Sequence, residues 1–442
     1  MIQLSDHFNY KHLLAFTLPS IVMLIFTSVY GVVDGFFVSN YAGKTPFAAV
    51  NFIYPFLMIL GSIGFMFGTG GSALISLTMG EGKGKKANEI FTMNVWISAL
   101  GGVVLAIPGI VFLPYIAAFL GAEGELLSQC ILYGRIVLAA LPFYVLQFEF
   151  QCLFATAQKP KLGLLVTVAA GITNMVLDAL FVAVFSWGAA GAAAATALSQ
   201  VVGGVTPVIY FAGKNSSLLR LVRFQFDGKA LGKTCTNGSS ELMSNISMSI
   251  VSMLYNVQLM KYAGENGIAA YGVLMYVSMI FQAVFLGYAV GVAPVVGYHY
   301  GAHNIDELKG LLKRSSILIG LFSLCMFGAG ELLSKPFAVL FVGYDKTLLD
   351  MTAHAFFIFS FSFLCSGFAI FGSSFFTALN DGMTSALISF LRTLVFQITA
   401  VIIFPVFWKL DGIWWSVVAA EAMAVVVTVM FLIGKRKEYQ YF

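Results

Sequence analysis

The amino-acid sequence predicts an all-α integral membrane protein with twelve transmembrane helices, arranged as two six-helix bundles related by a pseudo-two-fold axis along the membrane normal. Three observations support this prediction: the composition, a series of long apolar runs, and an internal repeat of half the chain. Of the 442 residues, 59% are hydrophobic and 10% are charged, whereas soluble domains carry about a quarter charged residues. A soluble core of this size could not hide so much apolar surface, so lipid must be the solvent.

Twelve apolar runs are long enough to cross a bilayer, which takes about 20 mostly apolar residues. Backbone groups cannot stay unpaired in lipid, and continuously apolar runs differ from the alternating segments of a β-barrel, so the spans are predicted to be helices. The stretch from 162 to 213 is divided at Ser186, Trp187 and Gly188, where small residues allow a tight turn. The predicted spans are 13–38, 48–79, 90–113, 130–157, 162–185, 190–212, 234–260, 267–299, 313–333, 351–379, 384–407 and 412–434.

The distribution of lysine and arginine predicts that both termini are cytoplasmic. If the N-terminus is inside, 17 of these residues fall in inside segments and 6 in outside segments, with Arg392 inside the eleventh span. Cytoplasmic loops carry an excess of lysine and arginine. The bias therefore favours an even number of spans in a bacterial inner membrane.

The chain also repeats itself when it is shifted by half its length, a shift that we call the repeat offset. Several short motifs coincide at this offset near both ends of the half, which indicates duplication. We therefore expect an N-terminal bundle at 1–213, a cytoplasmic linker at 214–233 and a C-terminal bundle at 234–442. The coinciding pairs include Tyr41-Ala42-Gly43 with Tyr262-Ala263-Gly264, Gly70 with Gly291, Gly80 with Gly301, and Trp187 with Trp408.

Charged residues inside the spans are the candidate functional residues, because a charge at the bilayer centre costs at least about 2.5–3.5 kcal/mol. No nucleophile elbow, P-loop or zinc-protease motif is present, and the five histidines are scattered. The five cysteines form no CxxC pair, so neither a metal site nor a disulfide framework is expected. The sequence thus favours a transport protein over an enzyme and offers no ATP-binding motif.

The first half contains a candidate cation site of hard oxygen ligands. Asp34 lies late in span one, fifteen residues and about four turns after Pro19, where a helix can bend. Asn174 and Asp178 are four residues apart in span five and so share one helix face. Thr196 opens span six on the same side of the membrane. Carboxylate, amide and hydroxyl oxygens suit Na⁺ or a proton rather than a soft metal.

Four further buried charges leave alternatives open. Glu241 opens span seven and is either a substrate-pocket residue or a first-turn acid favoured by the helix dipole. Glu149 in span four is a second substrate-pocket candidate. Arg392 and Glu421 could pair across spans eleven and twelve, as a structural or a functional ion pair.

Several short motifs occur in order along this duplicated chain, and together they are specific. With them the sequence resembles the multidrug and toxic compound extrusion (MATE) family, in particular its DinF-like bacterial branch, over essentially its whole length. These motifs are Leu18-Pro19, Asp34-Gly35, Ala48-Ala49, Pro55, Gly68-Thr69-Gly70-Gly71, Gly80, Asn174 with Asp178, and Thr196.

The resemblance implies two bundles in a V shape that exchange a cation for a drug by alternating access. It matches Asp34, Asn174, Asp178 and Thr196 to the family's first-half cation site and Pro19 to the residue where span one bends. The sequence departs from other members in span ten, at 351–379, which contains no acidic residue. A second-half cation site is therefore not expected to work with Glu241 alone.

We accordingly expect a Na⁺- or H⁺-coupled antiporter that exports organic, cationic or amphipathic compounds, acting as a monomer in the lipid bilayer. The rival is a lipid-linked precursor flippase of the same superfamily, but such proteins tend to have a strongly basic central cavity, and only Arg392 stands in mid-span. No cofactor other than the coupling ion and no nucleic-acid partner is expected.

Overall fold

The structure is a computed structural model that describes residues 2–343 and 345–442. Within these residues the regular structure is helical, and the first half forms six membrane-length helices. Their bounds are α1 Tyr10–Ala42, α2 Lys44–Gly80, α3 Gly84–Phe119, α4 Gly124–Ala139 with Leu141–Thr156, α5 Pro160–Val184 and α6 Gly188–Ala212. The two segments of α4 are bent by 60° relative to each other.

The second half forms six more, although two pairs run together as continuous helices. The helix Gly228–Gly301 has 74 residues, which at about 1.5 Å per residue is far longer than the roughly 30 Å hydrocarbon layer. Gly264 and Lys409 have non-helical backbone angles and divide the two long helices. The resulting bounds are α7 228–263, α8 265–301, α9 Ile305–Val342, α10 Lys346–Ser360 with Phe363–Ala378, α11 382–408 and α12 410–434.

The backbone confirms the internal repeat found in the sequence. Residues with positive φ occur at matching turns of both halves, separated by the repeat offset to within one position. The predicted break between α5 and α6 is also confirmed, because Ser186 and Gly188 have φ of 54° and 58°. The matching pairs are Gly43 with Gly264, Gly82 with His303, Gln158 with Asn380, and Gly188 with Lys409.

The two halves, which we call the first lobe (α1–α6) and the second lobe (α7–α12), meet across the predicted pseudo-two-fold axis. A Cβ atom at Gly80 would overlap the carbonyl oxygen of Tyr298, and one at Gly301 would overlap the carbonyl oxygen of Leu77. The repeat offset converts the first of these contacts into the second, so the interface is self-complementary, as a two-fold axis requires. Since α2 and α8 run in the same direction, the axis runs along them, and the predicted fold class is confirmed.

The first helix of each lobe also packs against the other lobe. In α1, Thr17 and Ile21 contact α8 at Gly291 and Gly287. In α7, Gly238 similarly meets the α2 backbone. The side chains that α1 and the segment before it bury in the core of the second lobe are Leu4, Phe8, Leu13, Phe16 and Ile21.

Hydrogen bonds between the lobes cluster at the end of the bundle that carries both chain termini, which we call the terminal end. The backbone N–H of Phe8 donates to Glu307 at 2.9 Å, and Arg314 donates to the Phe8 carbonyl at 2.6 Å. On the opposite side of the axis, Lys86 pairs with Asp227 at 2.8 Å. The lobes are therefore joined on both sides of the axis at this end.

A further ion pair at the terminal end fixes the start of α11. Asp381 caps this helix by accepting from the backbone N–H of Thr384, and Lys435, just after α12, donates to Asp381 at 2.5 Å. Burial alone would raise the pKa of Asp381, but the hydrogen bonds from Lys435 and Thr384 outweigh it and hold this pKa below its ordinary value.

We predict that Asp381→Asn lowers the free energy of unfolding in detergent by about 1–2 kcal/mol, because a hydrogen bond to a charged group is lost while asparagine still caps the helix. Asp381→Ala should cost about 1 kcal/mol more. The stabilisation from a lowered carboxyl pKa is complete above the unfolded value, about 3.9, and is lost as pH falls through the folded value. The free energies of unfolding of the wild type and of Asp381→Asn, measured against pH, should therefore converge in acid. A difference that stays constant over the whole pH range would contradict the role of the Asp381 charge.

Candidate functional site

The structure brings together Asp34 of α1 and Asp178 of α5, the two acids that the sequence singled out. Their carboxyl groups are close enough for a hydrogen bond to one another, and Asn174 lies within hydrogen-bonding reach of Asp34. Asp178 is completely buried and Asn174 nearly so. Two facing carboxylates carry no hydrogen between them and repel, so a shared proton or a cation would stabilise this arrangement.

Three of the four carboxylate oxygens of this pair are buried with no hydrogen-bond partner among the described protein atoms. Both Asp178 oxygens, one oxygen of Asp34 and the side-chain oxygen of Asn174 are buried without a hydrogen-bond partner. A buried polar atom left unpaired costs about 1–3 kcal/mol. These acceptor-only atoms from two helices are the kind of donor set that a hard cation or a proton satisfies.

A π-helical turn follows each of the two acids. The segment Val38–Ala42 continues α1 four residues after Asp34, and Ala179–Val184 begins directly after Asp178. Such turns occur mostly as single insertions in α-helices and are frequent at functional sites. The two helices thus depart from regular geometry at the same level as the acid pair.

Thr196 stands beside the site but is not a described partner of the acids. It lies eight residues after the start of α6 and interacts with the hydroxyl of Tyr133 in α4. Tyr133 also interacts electrostatically with both Asp34 and Asp178. The sequence analysis missed Tyr133. It also missed Tyr30, which lies one turn before Asp34 and reaches Gln147 of α4. The spacing from Asp34 could have indicated Tyr30, but nothing local indicates Tyr133.

Glu149 does not join the acid pair. It is fully buried in α4 and accepts a hydrogen bond from Ser98 of α3, and its other oxygen has no described partner. Gln147, two residues earlier, packs instead on Gly203 of α6. Residues two apart point to different sides of a helix. Glu149 therefore faces the α3 side of the first lobe.

Glu241 lies between the lobes. It interacts electrostatically with Arg392 of the second lobe and with Cys152 of the first. The alternative that it is a first-turn acid is wrong, because α7 begins at Gly228 and carries no acid in its first turn. At about 1.5 Å per residue, Glu241 is roughly 20 Å along the helix.

Pro19 lies where α1 crosses the second lobe. The helix continues through this buried proline from Tyr10 to Phe37. Its neighbours Thr17 and Ile21 are the residues that contact α8. Proline lacks the N–H that would bond to the preceding turn, so this segment of α1 has one backbone hydrogen bond fewer.

Comparison with known proteins agrees with this architecture. The "Multidrug export protein MepA" of Staphylococcus aureus (strain MRSA252) is 24% identical over 429 residues, covering 96% of this chain and 93% of that protein. The protein of that name from Staphylococcus haemolyticus (strain JCSC1435) is 23% identical over 429 residues, again covering 96% of this chain and 93% of that protein. The solved structure "MATE in complex with MaL6" superimposes with a TM-score of 0.93 at 23% identity, covering 99% of this chain and 98% of that one.

One family model, MatE, matches the chain twice, at residues 19–180 and 242–403. The two matches fall in the first and second lobes and begin close to one repeat offset apart. They cover most of the membrane helices of both lobes, including Asp34, Asn174 and Asp178. The chain belongs to the MatE family of membrane transporters.

Proposed function

We propose that this transporter exports small organic compounds, mainly cationic or amphipathic ones, in exchange for Na⁺ or H⁺ by alternating access. The observation that carries the proposal is the buried pair of Asp34 and Asp178, whose facing carboxyl groups a proton or cation between them would stabilise. The names of the multidrug export relatives support the class of cargo. No resident cofactor other than the coupling ion is needed.

Cation binding would act on the relation between α1 and α5. Without a cation, two carboxylates held close together repel, and a proton or Na⁺ relieves that repulsion. Asn174 can turn its oxygen to a sodium ion or its amide to a carboxylate, so the same residues serve either ion. The bound cation would therefore draw α1 and α5 together.

Helix α1 connects this event to the closure between the lobes. Its second half carries Asp34 against α5 of the first lobe, while its first half packs on α8 of the second lobe through Thr17 and Ile21. A shift of α1 toward α5 would strain or release the contact with α8. Cation binding would in this way favour one of the two access states over the other.

The flippase alternative receives little support from the buried charges of the second lobe. Arg392 pairs with Glu421 at 2.8 Å and is mostly buried. Its charge is therefore already neutralised, whereas an anionic lipid-linked diphosphate would need free cations. Glu241 adds a carboxylate nearby, which suits a cationic compound better.

We further propose that the transporter is a monomer in a bacterial inner membrane, with the terminal end in the cytoplasm. Its bundles at 1–213 and 234–442 would be joined by a linker at 214–233, of which the residues from Gly228 onward are already helical. The excess of lysine and arginine at the terminal end supports this orientation.

We predict that Gln225→Cys, exposed before α7, is protected from a membrane-impermeant maleimide in intact cells, while Glu265→Cys, exposed at the opposite end, is labelled. The exposed native Cys325 should first be replaced by alanine. Breaking the cells should make Gln225→Cys reactive. Labelling of Gln225→Cys from outside would reverse the proposed orientation.

We predict that Asp178→Asn abolishes cation-driven transport while the protein still inserts and folds, because an amide cannot share a proton or balance a cation. Proteoliposomes with an imposed Na⁺ or H⁺ gradient should accumulate a fluorescent organic cation with the wild type and not with Asp178→Asn. The matched control is Asp350→Asn, an exposed residue of α10 that should transport normally. Gradient-driven uptake by Asp178→Asn at the wild-type rate would rule out this role.

We predict that Pro19→Ala leaves the affinity for the exported compound in the cation-free state nearly unchanged and reduces the effect of the cation on it. Alanine restores the missing backbone hydrogen bond and stiffens α1 between Asp34 and α8. Reciprocity requires cation and compound to weaken each other by one factor, typically about 5–150-fold.

Affinities should be measured with and without cation in the wild type, in Pro19→Ala and in the control Pro108→Ala, a mid-helix proline exposed on α3. A cation effect of the same size in all three would show that α1 near Pro19 takes no part in the coupling.

A further inference from the structure

The second lobe has a counterpart of the first-lobe acid site, built from uncharged residues. Tyr255 of α7 is the residue that the repeat offset pairs with Asp34, and its hydroxyl donates to Gln397 of α11 at 2.8 Å. Gln397 lies two positions beyond the residue that the offset pairs with Asn174. The same pairs of helices therefore make a polar contact at the same level in both lobes, but the second contact involves no acid.

The residues that correspond to Asp178 and Thr196 offer no buried oxygen ligand in the second lobe. The repeat offset pairs Asp178 with Thr399, which is exposed. Val401, one helical turn after Gln397 as Asp178 is one turn after Asn174, is fully buried. Val417 is the residue that the repeat offset pairs with Thr196. Neither valine can coordinate a cation, so the second-lobe contact lacks the oxygen ligands of the first.

An ion pair lies next to this contact instead. Arg392 of α11 donates through Nε to Glu421 of α12 at 2.8 Å, and their side chains are 14% and 6% exposed. Arg392 stands in the third π-helical turn of the chain, Leu391–Val395. The ionisable groups that face this pair from neighbouring helices are Glu241 and Tyr255 of α7 and Cys365 of α10.

We propose that Arg392 is a built-in cation of the second lobe. Its guanidinium neutralises Glu421 permanently, as the coupling cation neutralises the Asp34–Asp178 pair transiently. Arginine cannot be deprotonated in proteins, so no gradient changes the charge of this lobe. The second lobe then binds no coupling ion, and each transport cycle uses the single site of the first lobe; this stoichiometry rests on the proposed function of that site.

The charge balance of the pair makes the proposal testable. Removing Arg392 alone leaves Glu421 as a buried, uncompensated carboxylate, which is strongly unfavourable. Glu421 should then acquire a proton or Na⁺ from solution, so a second cation site appears. Removing both charges leaves a neutral glutamine pair, and no site appears.

The experiment measures cation binding to the full-length protein in detergent, by calorimetric titration with Na⁺ and by proton uptake after a pH step in weak buffer. The background is Asp34→Asn/Asp178→Asn, which should bind one cation fewer than the wild type. Adding Arg392→Gln should restore binding of one cation, while adding Arg392→Gln/Glu421→Gln or Arg392→Lys should restore none. Because Glu241 also interacts with Arg392, every protein in this comparison, including the wild-type reference, carries Glu241→Gln. Glu149 is present throughout and contributes equally to all variants.

Each outcome bears on one of the two proposals. No gain with Arg392→Gln, or equal gain with Arg392→Gln/Glu421→Gln, overturns the role of Arg392. No difference between the wild type and Asp34→Asn/Asp178→Asn overturns the first-lobe site and leaves the Arg392 comparison intact.

If Arg392→Gln does not fold, the Arg392→Gln/Glu421→Gln protein in the otherwise wild-type chain decides the question. It should keep the wild-type ratio of cations to exported molecules in proteoliposomes, because a neutral pair replaces a neutralised one. A changed ratio would show that the ion pair takes part in coupling and would overturn the proposal.

Discussion

The close approach of backbones between the two lobes is the constraint on which the rest of the structure depends. Lipid offers no hydrophobic gain when one apolar helix meets another, so membrane helices associate by close packing and by polar contacts. Here glycines at the terminal end let α2 and α8 meet across the pseudo-two-fold axis, and let α1 and α7 cross into the opposite lobe. Because these contacts leave no room for side chains, they allow few intermediate arrangements. The lobes are thus suited to discrete states rather than to continuous deformation.

Duplication supplied the architecture twice, and the two copies then diverged in how they treat buried charge. In the first lobe two acids face each other with no cation among the described residues around them. In the second, Arg392 accompanies Glu421, and Tyr255 bonds to Gln397. Charge is costly in the poorly polarisable surrounding of both lobes. In the second lobe the partner of the acid is an arginine of the chain itself, and in the proposed function the partner of the first-lobe acids would come from solution. The proposed difference in ion dependence would follow from this one change of partner.

Much of the fold could be predicted from the sequence because the bilayer imposes a fixed length and apolar character on each span. The break at Ser186 and Gly188 and the twelve predicted helices agree with the structure at residues 2–343 and 345–442. Several helix ends are displaced by a few residues, because polar segments predicted as loops continue as helix. The contact of Asp34 with Asp178 followed from their cost in lipid and their position on one side of the membrane. By contrast, hydropathy does not say which helix packs on which, so the crossing of α1 into the second lobe was not foreseen. Tyr133 was missed because a tyrosine in an apolar span has many ordinary roles.

The crossing of α1 explains why a cation site confined to one lobe could still govern both. If α1 packed only within the first lobe, drawing it toward α5 would tighten that lobe and leave the interface unaffected. Because side chains between Leu4 and Ile21 lie in the core of the second lobe, the same displacement acts on both lobes at once. Asp34 and Thr17 are seventeen residues apart, about 25 Å along a helix. To carry a displacement from Asp34 to the contact with α8, α1 must be stiff enough to transmit the motion and flexible enough to change its packing. Pro19 lies next to the contact with α8 and on the same helix as Asp34, where a missing backbone hydrogen bond gives α1 local flexibility. If Asp34 binds the coupling ion as proposed, one continuous helix rather than a chain of side-chain contacts would connect ion binding to lobe closure.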